Sequence, residues 1–136
     1  MLLIKYVVGP SAVHGLGVIS YAFVPEGTKV WIFHPIIDRI ISENELKKLP
    51  LDIVKKIHNH AEIIPDRQLF RLPADGDYFM NHSDDPNLDD RGDEMLANRD
   101  IRAGEELFCD YRITKVLAFD PDAALNRMPK REARRP

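Results

Sequence analysis

The stretch Phe79-Met80-Asn81-His82-Ser83-Asp84-Asp85-Pro86-Asn87 decides how the rest of the chain is interpreted. It places two amides, an imidazole and a proline-fixed turn directly after a pair of aromatic residues. Such a density of hydrogen-bonding groups beside apolar residues is typical of a site that holds a polar ligand against a folded wall. A second stretch, Gly104-Glu105-Glu106-Leu107-Phe108-Cys109-Asp110-Tyr111, ends in an acid and a tyrosine. A phenol in that place can bury its ring and present its oxygen.

Length and composition indicate one globular domain. The 136 residues fit a single core, and the hydrophobic fraction of 44% and charged fraction of 30% are ordinary. No apolar run approaches the roughly 20 residues of a membrane span. The first eight residues are broken by Lys5 and lack a basic start, so they predict a strand and not a signal peptide. The single cysteine, Cys109, excludes an internal disulfide framework, and we expect a cytoplasmic protein.

The charge is unevenly distributed along the chain. The last ten residues carry a net +4, so the other 126 residues carry -7 within the total of -3. An acidic domain is poorly suited to direct nucleic-acid binding but well suited to a basic protein partner. The basic end is typical of a solvated tail, and a nuclear or host-nuclear location follows only if it is a targeting signal.

Short strands dominate the predicted secondary structure. The segments predicted as strands are 2–8, 18–23, 29–33, 36–41, 68–72, 95–98 and 106–111. A capping box at Ser42-Glu43-Asn44-Glu45 predicts a short helix that ends at Pro50, and Asp52 is the predicted cap of a second helix. Residues 113–125 match a further helix interrupted by Pro121. The pattern indicates a mainly β, α+β domain with helices inserted in its middle.

Each motif also has a simpler interpretation. The turn His14-Gly15-Leu16-Gly17 lets backbone approach a ligand, although an ordinary turn would use the same residues. The 81–87 stretch could be a satisfied polar turn or, with Asp84, Asp85, Asp89 and Asp90, a metal site, but its spacing does not match a calcium loop. We therefore expect no metal. Tyr111 and Cys109 could each be ordinary packing residues.

Taken together, the motifs resemble the SET-domain protein-lysine methyltransferases from about residue 4 to about residue 113. The turn 15–17 resembles the family's first motif, and Asn81-His82-Ser83 with Pro86-Asn87 its central motif. The closing motif is matched by Arg99-Asp100-Ile101, Gly104-Glu105-Glu106-Leu107 and Asp110-Tyr111. We therefore expect a SET domain over residues 1–113 with a variable helical insert at 34–72, and a closing segment with a basic tail at 114–136. The compact size resembles the stand-alone bacterial and viral members.

The resemblance implies a β-clip fold of small curved sheets around a knot-like core, with the Asn81-His82 segment beneath Tyr111. It implies S-adenosylmethionine as methyl donor and a lysine in a basic protein, such as a histone tail, as acceptor. Gly15, Leu16 and Gly17, with Asn81 and His82, would bind the cofactor, and Tyr111 would be catalytic. Cys109 and Phe79 would line the lysine channel. A non-catalytic SET-like module that binds basic peptides is the alternative.

Three departures from the family pattern affect these expectations. Asp84 stands where many relatives carry a zinc-binding cysteine, and no cysteines follow Tyr111, so residues 113–128, with Val116, Leu117 and Phe119, are expected to close the channel. Cys109 stands where relatives usually have Phe or Tyr; a smaller side chain leaves room for di- or trimethylation. Tyr78 replaces a common arginine, with no assigned consequence.

Overall fold

The fold is built from short strands in small sheets, as the sequence predicts. A computed structural model describes residues 1–64 and 69–114 of the chain. Within these ranges ten strands form four sheets of two or three strands each. The strands are β1 (Tyr6–Pro10), β2 (Leu16–Ser20), β3 (Lys29–Ile32), β4 (Arg39–Ser42), β5 (Glu62–Ile64), β6 (Leu69–Leu72), β7 (Asn81–His82), β8 (Leu88–Asp90), β9 (Glu94–Ala97) and β10 (Phe108–Cys109).

The sheets pair segments that are distant in sequence. β1 and β2 form an antiparallel hairpin, and β3, β9 and β8 form a three-stranded sheet in that order. A second three-stranded sheet has the order β4, β6, β5, and β7 pairs with β10 in parallel. Parallel neighbours require a long connection, and here the connection runs from residue 82 to residue 108. The pair therefore brings together the two motif segments, which are far apart in sequence.

The predicted insert contains two helices. α1 (Glu43–Leu46) begins with the predicted capping box, in which Ser42 and Glu45 bond reciprocally to each other's backbone. α2 (Leu51–His58) begins two residues earlier than predicted: Pro50 is its N-cap, and Asp52 lies inside the first turn. The prediction of Asp52 as a cap is wrong because proline already fixes the extended backbone that precedes a helix.

The predicted strand 36–41 is correct only in its second half. Residues 35–37 form a turn, in which the amides of Ile37 and Asp38 donate to the His34 carbonyl at 2.9 and 2.8 Å. The buried Asp38 carboxylate also accepts from the His34 amide and from the Met1 amino group, each at 2.9 Å. These contacts hold the chain in a turn despite its β-branched residues, and β4 begins only at Arg39.

The boundaries of other elements also differ from the predicted ones. β1 starts four residues later than predicted and continues through Gly9-Pro10, which pair with Gly17 and Leu16. The predicted strand 106–111 is regular only at Phe108–Cys109, and α3 (Tyr111–Thr114) starts at the tyrosine. The prediction of a helix over 113–125 and of a closing segment at 114–136 lies almost wholly outside the described residues.

A 3-10 helix, Gly76–Phe79, connects the sheets to the central motif. The Tyr6 hydroxyl accepts from the Gly76 amide at 3.0 Å, and the Trp31 indole donates to Asp77. Tyr6 leaves no room for a larger residue at 76, since an added Cβ would lie 2.1 Å from its ring. Burial raises the pKa of Asp77. The contacts of Tyr6 and Trp31 hold this helix in place and so fix the position of Met80, the residue that follows it.

One apolar core lies beneath these elements. Trp31, Leu88, Ile101 and Leu107 are among its fully buried side chains. The other members are Leu2, Val18, Val24, Val30, Met80, Met95, Ala97 and Cys109. Burial of this apolar surface is the main stabilising contribution, and it supports the motif segments from below.

Candidate active site

The structure brings the two motif segments side by side. In the parallel pair of β7 and β10, Asn81 lies opposite Phe108 and His82 opposite Cys109. The Ser83 amide extends the pairing by donating to the Cys109 carbonyl at 3.1 Å. This is the placement that the resemblance implies, with the Asn81-His82 segment against the segment that leads to Tyr111.

Tyr111 is fixed through both its side chain and its backbone. Its hydroxyl donates a hydrogen bond to the Met80 carbonyl, and its amide donates to His82 Nδ1 at 3.1 Å. Burial raises the pKa of the phenol well above its usual value, so the hydroxyl keeps its proton at neutral pH. With its hydrogen directed to Met80, the phenol oxygen can act toward a substrate only as an acceptor.

His82 lies between Tyr111 and an acid. Because Nδ1 accepts from the Tyr111 amide, the ring proton of the neutral form belongs on Nε2, which lies 3.0 Å from Asp84 Oδ1. The side chain is buried, and its ring lies 5.6 Å from the Tyr111 ring, centroid to centroid. His82 therefore joins the central motif to the backbone that carries the tyrosine.

Asn81 ties the glycine turn, residues 14–17, to the site. Its amide nitrogen lies 3.0 Å from the His14 carbonyl, 2.9 Å from the Leu16 carbonyl and 2.9 Å from Glu106 Oε1. Glu106 Oε2 also accepts from the Ser11 hydroxyl at 2.8 Å. The first, central and closing motifs thus meet around one amide and one carboxylate.

The glycine turn itself has two different requirements for glycine. Gly15 has a φ of +50°, a conformation that other residues rarely adopt, and has open space around it. At Gly17 an added Cβ would lie 2.0 Å from Glu106 Oε1, so the absence of a side chain lets the carboxylate reach Asn81. Leu16 and Gly17 belong to β2 and not to a turn, which corrects the predicted strand start at Val18.

The two residues assigned to the lysine channel have different surroundings. Cys109 is only 4% exposed and belongs to the apolar core, and burial raises the pKa of its thiol. Phe79 is 37% exposed, and its ring meets the edge of Tyr78, which stacks on His60 at 3.7 Å between centroids. Cys109 therefore belongs to the apolar core with Met80, whereas Phe79 is part of an exposed aromatic surface.

Several residues at the site were not singled out as site residues by the sequence. Asn87 is buried and bridges the closing motif: its amide nitrogen donates to the Glu106 carbonyl, and its oxygen accepts from the Phe108 amide, both at 2.8 Å. Glu106 and Arg112 also make contacts there. Asn87 and Glu106 carried a sequence signal as parts of the central and closing motifs, and Arg112 carried none.

A metal-binding cluster and a membrane-spanning helix are both absent from the described residues. Across 1–64 and 69–114, no group of three or more histidine, cysteine or acidic side chains is arranged to hold a metal ion. No helix in the described part of the chain is long and apolar enough to cross a membrane.

Comparison with known proteins gives a consistent result. The sequence profile of the SET domain matches residues 15–112. No curated protein sequence matches the chain. Among solved structures, the polycomb repressive complex 2 of Chaetomium thermophilum is similar with a TM-score of 0.63 and 22% identity, over 79% of this chain and 15% of that one.

A second structural similarity covers almost the whole of a smaller protein. A Plasmodium falciparum protein named as a candidate histone methyltransferase matches with a TM-score of 0.55 and 21% identity, over 81% of this chain and 95% of that one. The chain spans only about 15% of the polycomb chains that it matches. At these identities the structural matches establish the fold.

Proposed function

The chain belongs to the SET-domain family, and from that membership we propose that it transfers methyl groups from S-adenosylmethionine to lysine ε-amines of a basic protein. The observation that carries the proposal is the parallel pairing of Asn81-His82 with Phe108-Cys109. That pairing gathers the predicted cofactor residues and Tyr111 at one place. The family match extends over both motifs.

The groups around the glycine turn are chemically suited to binding S-adenosylmethionine. S-adenosylmethionine supplies an activated methyl group on a sulfonium and carries an ammonium and a carboxylate. Around the glycine turn the chain offers the exposed residues His14, Gly15 and Leu16 and open space beside Gly15. Glu106 adds negative charge near Asn81, which favours a ligand with cationic groups.

Tyr111 would orient the acceptor amine. A lysine amine must lose its proton before it can attack, and its usual pKa is about 10.4. An apolar channel wall, to which the neutral thiol of Cys109 would contribute, disfavours the ammonium form and so assists that loss. The Tyr111 oxygen would accept a hydrogen bond from the amine and hold it in line, while the phenol proton stays on that oxygen and is donated to the Met80 carbonyl.

The proposed partner is a basic segment that contains the lysine, such as a histone tail. The 126 residues before the basic tail carry a net -7, which attracts such a segment and disfavours direct contact with nucleic acid. The exposed ring of Phe79, beside Tyr78 and His60, offers an aromatic surface against which the stem of a lysine or arginine can pack.

The test is transfer of labelled methyl groups to histones and basic bacterial proteins, with Tyr111→Phe and Tyr21→Phe compared. Tyr21 is an exposed tyrosine and serves as the matched control. We expect transfer by the wild type and by Tyr21→Phe, and loss of at least about a hundredfold in Tyr111→Phe. Cofactor binding without transfer to any substrate would favour the non-catalytic module, and absence of cofactor binding would contradict the proposed methyl transfer.

A further inference from the structure

A network of four charged or titratable side chains closes around Tyr111. It consists of His82, Asp84, Asp110 and Arg112, and is called the charged network below. The Arg112 guanidinium donates to both oxygens of Asp110, from Nε at 2.9 Å and from Nη2 at 2.8 Å. The same Nη2 lies 3.1 Å from Asp84 Oδ1. One cation therefore holds two carboxylates that come from different motifs.

The network continues through the imidazole to the tyrosine. Asp84 Oδ1 lies 3.0 Å from His82 Nε2, and His82 Nδ1 accepts from the Tyr111 amide. Asp110 Oδ1 approaches Nδ1 at 3.7 Å from the other side. The contacts thus form a closed ring that passes from Arg112 through Asp84 and His82 to the backbone of residues 110–112. Tyr111 lies in that backbone.

The exposure of its side chains indicates that the charged network positions His82 and Tyr111 more than it stabilises the fold. The side chains of Asp84 and Arg112 are 51% and 49% exposed, whereas those of His82 and Asp110 are 7% and 13% exposed. Exposed ion pairs contribute little to the free energy of unfolding. The bidentate pairing of Arg112 with Asp110, however, has a fixed geometry that a lysine cannot reproduce.

We infer that Arg112 is a positioning residue, which joins Asp84 to Asp110 and so fixes His82 and Tyr111 relative to each other at the methyl-transfer site. The inference rests on the proposed function. Without the guanidinium, Asp84 and Asp110 face each other across His82 with no cation between them. The loop after His82 and the start of α3 then lose the link between Asp84 and Arg112, so the backbone that carries Tyr111 is held less tightly relative to His82.

The experiment measures Arg112→Ala and Arg112→Lys against Arg102→Ala, which removes the same charge from an exposed residue. Steady-state methyl transfer gives kcat and KM, and thermal unfolding reports the fold. We expect both Arg112 variants to lose between about tenfold and a hundredfold in kcat, with melting temperatures close to the wild type and an unaffected Arg102→Ala. Wild-type kcat in Arg112→Ala would overturn the inference.

A double-mutant cycle with Asp84→Asn tests the connection through the ring. If Arg112 acts through Asp84, the double variant Asp84→Asn/Arg112→Ala loses little more kcat than either single variant. Fully multiplicative losses would show that the two residues act independently, which contradicts the inference.

A spectroscopic readout separates failure of the inference from failure of the proposed function. Nitrogen NMR of the His82 ring reports its tautomer, which the ring of contacts holds with the proton on Nε2. If the wild type transfers no methyl group to any substrate, the proposed function fails. Arg112→Ala then still decides the inference: altered His82 signals, with the fold intact, support the positioning contact, and unchanged signals overturn it.

Discussion

Replacing Gly17 by alanine tests whether the glycine turn is held by Glu106. An added Cβ would lie 2.0 Å from Glu106 Oε1 and 2.7 Å from its Cδ, which no real contact tolerates. The backbone of Gly17 is not in the left-handed region, so conformational strain is not the issue. The carboxylate has to move away, and it then leaves both of its hydrogen-bond donors.

The cost follows from those two bonds. Glu106 accepts from the Ser11 hydroxyl at 2.8 Å and from the Asn81 amide at 2.9 Å. Hydrogen bonds to a charged group contribute about 1.5–3 kcal/mol each, and because Glu106 is partly exposed, water replaces part of the loss. We therefore expect Gly17→Ala to lower the free energy of unfolding by about 3 kcal/mol, a large share of the 5–15 kcal/mol typical of a domain.

Urea unfolding measures this cost. If the free energy of unfolding falls by about 2 kcal/mol per M urea, the urea concentration at the unfolding midpoint should be about 1.5 M lower for Gly17→Ala than for the wild type. Gly15→Ala is the matched control: it meets no atom within 4 Å, so only the left-handed backbone penalty of about 1–2 kcal/mol remains.

The decisive comparison repeats Gly17→Ala in a Glu106→Ala background. With the carboxylate removed, the nearest remaining atom is Ser11 Cβ at 3.2 Å, and we expect the added methyl to cost less than about 1 kcal/mol. If Gly17→Ala lowers the free energy of unfolding equally in the two backgrounds, the steric reasoning is refuted. If it costs less in the wild-type background than Gly15→Ala does, the expected magnitude is refuted.

Two further predictions concern the residues around Cys109. Burial raises the pKa of Glu62 from 4.5 to about 7. A carboxyl whose pKa is higher in the folded state stabilises the fold below the unfolded pKa and loses that contribution as pH rises through the folded one. Urea unfolding at constant salt should therefore show a fall of up to about 3 kcal/mol between pH 4.5 and 8 that Glu62→Gln abolishes; the same fall in both proteins would exclude Glu62 as its source. Cys109→Phe should cost about 1–3 kcal/mol by overpacking the core and, on the proposed function, limit the product to monomethyl-lysine by mass spectrometry. Monomethyl product alone from the wild type, unchanged in the variant, would contradict the channel assignment.

The sequence predicted the fold well where local and global signals agree. The capping box at Ser42 and the strand 29–33 depend on neighbouring residues, and both appear close to where they were expected. The prediction failed at Ile36–Asp38 because hydrogen bonds to His34 and the Met1 amino group override the β preference of the isoleucines. Of these contacts, the bond between Met1 and Asp38 joins residues 37 positions apart and leaves no local pattern.

The candidate site was predictable in its motifs but not in its connections. Asn81, His82 and Tyr111 were selected from the sequence, and the structure places them together, while their roles stay predictions. Arg112 carried no signal, because its partner Asp84 lies in another motif and only the pairing of β7 with β10 brings them together. A single sequence shows which groups are present, but ion-pair partners depend on the chain's path between them.

The contacts of Asn81 change how a loss of cofactor binding should be interpreted. Its amide nitrogen has two hydrogens and already lies within 3.0 Å of three acceptors of the chain: His14, Leu16 and Glu106. The side chain can therefore reach a ligand through its oxygen, but not by donation from the amide without releasing the glycine turn. Replacing Asn81 by aspartate would place a carboxylate against Glu106 and two carbonyls, and the turn would open. Weaker cofactor binding by that variant would thus reflect the altered shape of the turn as much as the loss of a contact between Asn81 and the ligand. Gly17→Ala opens the turn but keeps Asn81, so comparing the two variants separates the effect of the turn from that of the contact.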